Sequence, residues 1–267
     1  MTATALAPLE KEAKLLEQLR RYPSAALAYS GGVDSTYLAD VAHEALGENL
    51  LLLIAEAATM PREEYDFAVA QAKNRGWRLE SFSPAVFDQV SFVRNSDMRC
   101  YYCKSEVFAV MAQHAAAHGI TVLLHGETAE DAFDTTRVGI RAAREAGVHA
   151  PLADQGFTKA DIRERSRIRQ LPTWDKASFA CLATRVPTGT PLSTELLNRI
   201  ETAETVLKDS GFHQYRARHH GNLCRIEIEP EEFPRLLDPA LRQQIITAIQ
   251  YAGYTYVTLD LKGYGRH

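Results

Sequence analysis

The sequence predicts an α/β fold, a parallel sheet with helices on both faces, followed by a smaller α+β domain, and three observations carry that prediction. Apolar runs of strand length alternate with segments of helical periodicity through about the first 150 residues. A glycine-rich hexapeptide, Ser30-Gly31-Gly32-Val33-Asp34-Ser35, stands between the first apolar run and the first such helix. After a proline-broken stretch, the pattern changes to short alternating strands around helices.

In order, a charged helix over Leu9–Arg21 precedes a strand at Ala25–Tyr29 and the glycine loop. A helix over Ser35–Leu46 follows, with Tyr37, Leu38, Val41, Ala42 and Ala45 at helical spacing. Leu50–Ala55 reads as a fully buried strand, Arg62–Arg75 as a helix, and Trp77–Phe82 as the next strand. Ser105–His118 and Thr158–Gln170 are helical, with a strand at Thr121–His125 between them. From Leu171 to Pro191 the periodicity breaks at Pro172, Pro187 and Pro191, which marks a functional loop or a linker. Thr194–Asp209 is helical, Gln214–Arg218 and Leu223–Glu229 alternate as strands, residues 230–252 are helix-rich, and Tyr254–Leu261 alternates again. The predicted domains are residues 1–191 and 192–267.

A chain of 267 residues with 46% hydrophobic composition buries ample core for these two domains. The net charge of −4 and the lack of a long basic run argue against a nucleic-acid partner. No apolar stretch reaches membrane-spanning length, and Met1 to Leu9 has neither a basic nor an apolar leader region, so a cytoplasmic location is expected. In such a reducing compartment the four cysteines read as ligands, nucleophiles or core residues rather than disulfides.

The hexapeptide suits the phosphates of ATP. Adjacent glycines let the backbone approach an anion, and the first amides of the following helix point at it. Ser30 and Ser35 add hydroxyl donors, whereas Asp34 repels phosphate and is suited to holding Mg²⁺ or orienting the loop. No lysine follows, so this is not a Walker A sequence. The loop resembles the PP-loop of the ATP pyrophosphatases, Ser-Gly-Gly-x-Asp-Ser, which implies cleavage of ATP between its α and β phosphates.

Cys100 and Cys103 stand just before the predicted helix, with Arg99 and Lys104 favouring thiolates. Cys181 adds a third thiol from the irregular loop, and three cysteines leave one position of a tetrahedral site or one iron of a 4Fe-4S cube open. The plainer alternative is two turn cysteines and an unrelated buried one. Cys224 shares a strand face with Ile226 and Ile228 and reads as core. Arg216 and Arg218 share the other face of their strand, fit for a phosphate or for salt bridges to Glu227 and Glu229. His125-Gly126-Glu127-Thr128-Ala129-Glu130-Asp131 ends the fourth strand and is followed by Arg137, Arg141 and Arg144. Its acids suit Mg²⁺, but acids at a helix start also serve as caps, and capping is the simpler reading. His43, His114 and His118 fall in helix patterns without partners and carry no assigned chemistry.

The loop at 30–35, Arg99-Cys-Tyr-Tyr-Cys-Lys104, Leu171-Pro-Thr-Trp-Asp-Lys176 and Ala180-Cys-Leu-Ala-Thr-Arg185, in this order, resemble the LarE family over nearly the whole chain. That resemblance implies an ATP-dependent sulfur transferase that makes pyridinium bisthiocarboxylic acid mononucleotide, the organic precursor of the nickel-pincer cofactor. It implies a PP-loop domain followed by a small domain that builds a homo-oligomer, commonly a hexamer. Cys181 matches the sulfur-donating cysteine and Lys104 a lysine near the reactive centre, with Asp34 as the third catalytic residue. The nucleotide set comprises Ala28, Ser30, Gly31, Gly32, Asp34, Ser35 and Gly126, with ATP and Mg²⁺ as its ligands. Arg216 and Arg218 match a pair that binds the substrate phosphate. Members with all three cysteines are thought to hold a 4Fe-4S cluster, here on Cys100, Cys103 and Cys181, fed by sulfide or a cysteine desulfurase. The departure from the family pattern is Gly126–Asp131, where a more Asn/Asp-rich segment is expected. Two rivals are a PP-loop tRNA thiolase and a non-enzymatic nucleotide-binding protein with a structural zinc site.

Overall fold

The structure is a computed structural model that describes residues 6–133, 138–177 and 180–265. Two compact units make up the chain, Met1–Phe92 with Asp97–Phe179, and Val93–Ser96 with Ala180–His267. The first contains α1 (Pro8–Leu19), β1 (Ala25–Ala28), α2 (Val33–Leu46), β2 (Leu50–Ala55), α3 (Arg62–Asn74) and β3 (Leu79–Phe82). It continues through α4 (Val90–Val93), α5 (Arg99–Ala117), β4 (Leu123–Leu124), α6 (Ala129–Phe133), α7 (Val138–Glu145), α8 (Pro151–Asp154) and α9 (Lys159–Ile168). No helix among the described residues is long and apolar enough to cross a membrane.

The four strands form a parallel sheet in the order β3-β2-β1-β4. β2 is Leu-Leu-Leu-Leu-Ile-Ala because both of its faces are covered. Leu50, Leu52 and Ile54 pack in one core with Leu27, Tyr37, Leu15 and Phe157, while Leu51 and Leu53 pack in the other with Ala26, Phe108 and Met111. After β1 the chain winds towards β3, then returns to add β4 on the other side of β1. The loops leaving β1 and β4 therefore diverge at the point where the strand order reverses, the place where open α/β sheets bind ligands.

One buried carboxylate ties the helices of the first core together. Glu12 on α1 accepts two bonds from Arg165 of α9 (2.9 and 2.8 Å) and two from Arg169, the residue that caps the C-terminus of α9 (3.1 and 3.0 Å). It also accepts the Tyr37 hydroxyl of α2 at 2.8 Å. Arg169 reaches on to Asp40 and Glu44 of α2 at 2.8 and 2.7 Å. Buried ion pairs need this completeness, because each lone pair left open costs desolvation energy.

The second unit has a short 3₁₀ turn at Leu182–Arg185, α10 (Thr194–Asp209), β5 (Tyr215–His220), β6 (Leu223–Ile228), α11 (Pro239–Tyr251) and β7 (Tyr256–Leu259). Its sheet runs β5-β6-β7, antiparallel and then parallel, and packs on Ala203, Leu207, Ile245 and Ile249 of α10 and α11. The predicted α/β and α+β patterns are both present. Residues 180–191 group with the second unit, whereas the sequence reading set that loop at the end of the first domain. Asn95 donates to the carbonyls of Pro187 and Thr190 at 2.9 and 3.0 Å, which fastens the loop inside this unit.

Two boundaries differ from expectation. α5 starts at Arg99 rather than Ser105, because the amides of Tyr101 and Tyr102 already bond the Met98 carbonyl. α2 starts at Val33 rather than Ser35, since Gly32 has the extended backbone of a cap and its carbonyl accepts the Thr36 amide. α6, α7 and α8 were not foreseen, being short and without a full period of apolar positions.

Glu12 gives the fold a pH signature. Burial opposes its charge, but the bonds from Arg165, Arg169 and Tyr37 outweigh burial and hold the carboxyl down to about 2 from an ordinary 4.5. The folded-state value is depressed, so this stabilisation is present above pH 4.5 and is lost as the pH falls from 4.5 towards 2. Chemical denaturation across that window should show a steep loss of stability that is flattened in Glu12→Gln. Glu12→Ala at neutral pH strands the Arg165 guanidinium, while Arg169 keeps Asp40 and Glu44, and should cost about 3–5 kcal/mol.

Candidate nucleotide site and candidate sulfur site

The loop between β1 and α2 is shaped by one close contact. Gly31 has a φ of +68°, and a Cβ there would lie 2.5 Å from the Ala68 Cβ of α3, so both conformation and space demand glycine. Ser35 closes the loop from within. Its hydroxyl donates to the Gly32 carbonyl at 3.2 Å, accepts the Ser30 amide at 3.3 Å and lies 3.1 Å from the Ser30 hydroxyl. Ser30 itself is exposed at the mouth, and Ala28 ends β1 half-buried. Gly126, just past β4, packs on the start of α2, where an added Cβ would be 3.1 Å from the Ser35 amide nitrogen. The expected nucleotide residues therefore share one corner, with the first amides of α2 open to an anion.

Asp34, in the first turn of α2, is bound by a residue that the sequence reading missed. Lys159 Nζ lies 2.5 Å from Asp34 Oδ2 and 3.2 Å from Asp131 Oδ2. A signal was available, because a lysine directly after the Thr158 cap opposes the helix dipole and makes sense only with anions opposite. Burial pushes the Asp34 carboxyl up, against the pull of Lys159. Burial also opposes charge on Asp131, but Lys159 and the amide and hydroxyl of Thr128 bring that carboxyl below its usual range. Thr128 and Asp131 exchange bonds across the first turn of α6, as the capping reading expects. Asp34 Oδ1 is buried without a hydrogen-bond partner among the described residues. Two carboxylates with one orphaned oxygen fit Mg²⁺, which takes hard oxygen ligands.

Glu127 is not a cap. Its side chain is only 4% exposed, 3.3 Å from His125 Nε2 and 3.6 Å from Arg144 Nη2. Burial and the Lys104 charge push His125 down to about 3, so its ring stands neutral beside Glu127. Burial raises the Glu127 carboxyl against the opposing charges of Arg144 and Lys104. Lys104 thus belongs to a polar cluster with His125, Glu127 and Arg144, its stem packed on Gly139 of α7. Glu130 is exposed, and Arg137 lies outside the described residues. His118 has partners that its sequence pattern did not suggest, with Arg78 at 2.8 Å and Glu80 at 2.9 Å.

The segment Leu171 to Lys176 folds onto its own unit. Arg163 donates to the carbonyls of Trp174 and Lys176 at 2.8 Å each, and Lys176 bonds Glu64 at 2.7 Å while sitting over the Phe67 ring. Cys100 lies in the first turn of α5 and Cys103 at the start of the second, inside the helix rather than before it, with Cys100 exposed and Cys103 half-buried. Their spacing sets both on one helix face at the positive end of the helix dipole, which favours thiolate ligands. Among the described residues no group of three or more His, Cys, Asp or Glu side chains is gathered to hold a metal ion. In donor chemistry the pair fits an iron-sulfur cluster as two of its ligands.

In the second unit, Cys181 has its backbone fixed from several sides. Its carbonyl accepts the Thr184 hydroxyl at 2.7 Å and Arg185 Nη1 at 3.2 Å. Arg185 is buried and grips Glu204 of α10 through two bonds of 2.9 and 3.1 Å, and Glu204 also accepts the Ala217 amide of β5. Arg216 and Arg218 project from one face of β5 as expected, but they differ in partners. Arg218 is bidentate to the buried Glu227 at 2.8 and 3.1 Å and donates to the Thr184 carbonyl, so the salt-bridge alternative holds for it. Arg216 has no carboxylate partner among the described residues; it donates to the Tyr215 carbonyl and lies over the Tyr264 ring. Burial and the neighbouring Arg185 and Arg218 charges lower its basicity, which makes this a place that attracts an anion. Cys224 is fully buried, its thiol pushed up to about 12 by burial, in keeping with a core role.

Comparison with known proteins adds a lineage. No family model matches the chain. It is 37% identical over 253 residues to an uncharacterized protein of Synechocystis sp., covering 93% of this chain and 94% of that one. It is 29% identical over 255 residues to the pyridinium-3,5-bisthiocarboxylic acid mononucleotide synthase of Lactiplantibacillus plantarum, covering 95% of this chain and 91% of the synthase. An uncharacterized protein of Methanocaldococcus jannaschii is 28% identical over 238 residues, 89% of each chain.

Gly31→Ala tests the loop geometry without any ligand. Backbone strain of about 1–3 kcal/mol, added to the clash with Ala68, should lower the thermal midpoint clearly. A midpoint equal to that of the unaltered protein would contradict the close contact described.

Proposed function

The chain belongs to the LarE family, and on that premise we propose that it is an ATP-dependent sulfur transferase acting on the carboxylates of pyridinium biscarboxylic acid mononucleotide. The observation that carries the reading is the Ser30–Ser35 loop, set with Gly126 at the switch point of a parallel sheet, in a chain similar along its length to a named synthase. ATP binds with its phosphates at the Gly31, Gly32 and first-turn amides of α2, and Ser30 donates to them from the mouth of the loop. Asp34 and Asp131 would hold Mg²⁺, which neutralises charge on the phosphates.

A substrate carboxylate oxygen attacks the α-phosphorus, the bond to the bridging oxygen breaks, and pyrophosphate leaves. The product is an acyl adenylate. Oxide is a poor leaving group and AMP a good one, so ATP is consumed before sulfur arrives. A sulfur nucleophile then adds to the activated carbonyl and AMP departs, leaving a thiocarboxylate. Both carboxylates require this, so the cycle runs twice. Arg216 attracts the substrate phosphate, with Arg218 held beside it by Glu227. A 4Fe-4S cluster on Cys100, Cys103 and Cys181 would supply one open iron position for sulfide. Lys104, with neutral His125 and Glu127 near it, offers positive charge to the acyl centre. Exposed Leu237, Tyr251, Tyr256 and Leu261 on the second unit support self-association of this small domain.

Turnover with ATP labelled at its α and γ phosphates should yield AMP and pyrophosphate only when the pyridinium mononucleotide is present. ADP and phosphate would overturn the reading. AMP release that depends on tRNA instead would identify a thiolase, and ATP that binds but persists would identify a nucleotide-binding protein. Anaerobic reconstitution should give about four irons per chain, lost in Cys103→Ala. Full activity in a preparation that holds only zinc would remove the cluster from the proposal.

A further inference from the structure

Lys159 is the charged group at the nucleotide corner for which the loop sequence gives no role. It is the first residue of α9, and the backbone that carries it is held rigidly. Thr158 and Asp161 form a reciprocal cap, Lys11 bonds Asp161 at 2.6 Å, and the Glu12 network fixes the following two turns. Its side chain, by contrast, is 37% exposed and bonds only through its ammonium, to Asp34 and Asp131. A flexible four-carbon stem on a fixed helix end moves a charge without moving the fold.

The ammonium occupies the gap between two carboxylates from different elements, the first turn of α2 and the first turn of α6. Without a cation there, two negative groups would face each other in a half-buried site. A small divalent cation makes the same demand, oxygen ligands of negative charge at close range, and Asp34 still has a buried oxygen with no partner among the described residues. An ammonium and a divalent ion cannot share that gap. Next to it, the α2 amides form an anion cradle that lacks the lysine which other phosphate loops supply from their own sequence.

We propose that Lys159 is an internal counter-ion that holds Asp34 and Asp131 together in the metal-free protein, yields this position to Mg²⁺, and then turns its ammonium to the phosphates of the bound nucleotide. Metal and ATP are thereby coupled, since the lysine released by one finds its new partner in the other. The inference rests on the ATP reading above and assigns a phosphate-binding residue to it.

Two measurements test it. In the unaltered protein, acetylation of Lys159 by acetic anhydride, followed by mass spectrometry, should be slow without metal, faster with MgCl₂ alone, and slow again with MgCl₂ and a non-hydrolysable ATP analogue. In Lys159→Met, thermal unfolding without metal should occur at a lower temperature, and Mg²⁺ alone should restore it at about tenfold lower concentration than the unaltered protein needs, as removal of one competing charge predicts. Affinity of this variant for the ATP analogue with Mg²⁺ should fall. If the analogue does not bind the unaltered protein at all, the ATP reading fails. If it binds while Lys159 labelling ignores Mg²⁺, the inference alone fails, and this readout stands even where the variant does not fold.

Discussion

The carboxylate of Glu12 is the constraint on which the first unit depends. It is buried, and its five accepted bonds come from the helix that the glycine loop opens and from the helix that Lys159 begins together with its C-terminal cap. Two helices that each carry part of the nucleotide corner are thus fixed to one point on α1. Apolar packing alone would let α9 slide by a fraction of a turn, because hydrophobic contact is non-directional. Bidentate guanidinium bonds do not permit that, since their geometry fixes direction as well as distance.

The corner proposed for the nucleotide distributes over four segments what other phosphate loops concentrate in one. The loop after β1 supplies amides and the Ser30 hydroxyl, α3 supplies the small Ala68 against which Gly31 closes, the turn after β4 supplies the glycine that permits close approach, and α9 supplies the cation. Each contribution is modest and each depends on the parallel sheet that holds the strand ends in line. The acids at Asp34 and Asp131 balance the positive helix end until other charges enter, and so the corner is electrostatically complete in its own right.

The second unit solves a related problem with a buried ion pair. Arg185 and Glu204 satisfy one another, and the remaining guanidinium donors bond the carbonyls of Ala180 and Cys181. Cys181, on an irregular segment, is thereby given a fixed backbone without regular secondary structure. Arg218 is spent on Glu227 in the same way, which leaves Arg216, crowded by like charge, as the residue with anion affinity to spare.

Much of this was legible in the chain. The strands of the sheet were readable from continuous apolar runs, because a strand covered on both faces has no polar positions to blur it. Cys224 was readable as core from alternation, and the loop at 30–35 from glycines that no ordinary strand-to-helix turn requires. Less legible were α6, α7 and α8, too short to express a period, and the start of α5, where a Cys-x-x-Cys spacing is equally a turn and a helical spacing. The partition of Arg216 and Arg218 between salt bridge and anion site was undecided in sequence, since both stand on one face of a strand and the acids of the following strand suit either of them. By itself the sequence determined the fold class, the glycine loop and the lineage, because these rest on local periodicity and on contiguous residues. Only the tertiary structure decided that Lys159 lies between Asp34 and Asp131, that buried Glu127 lies beside Arg144, and that Glu227 takes Arg218. Those pairings join residues remote along the chain or across a sheet, and a charge carries no mark of its partner until folding brings the two within a few ångströms.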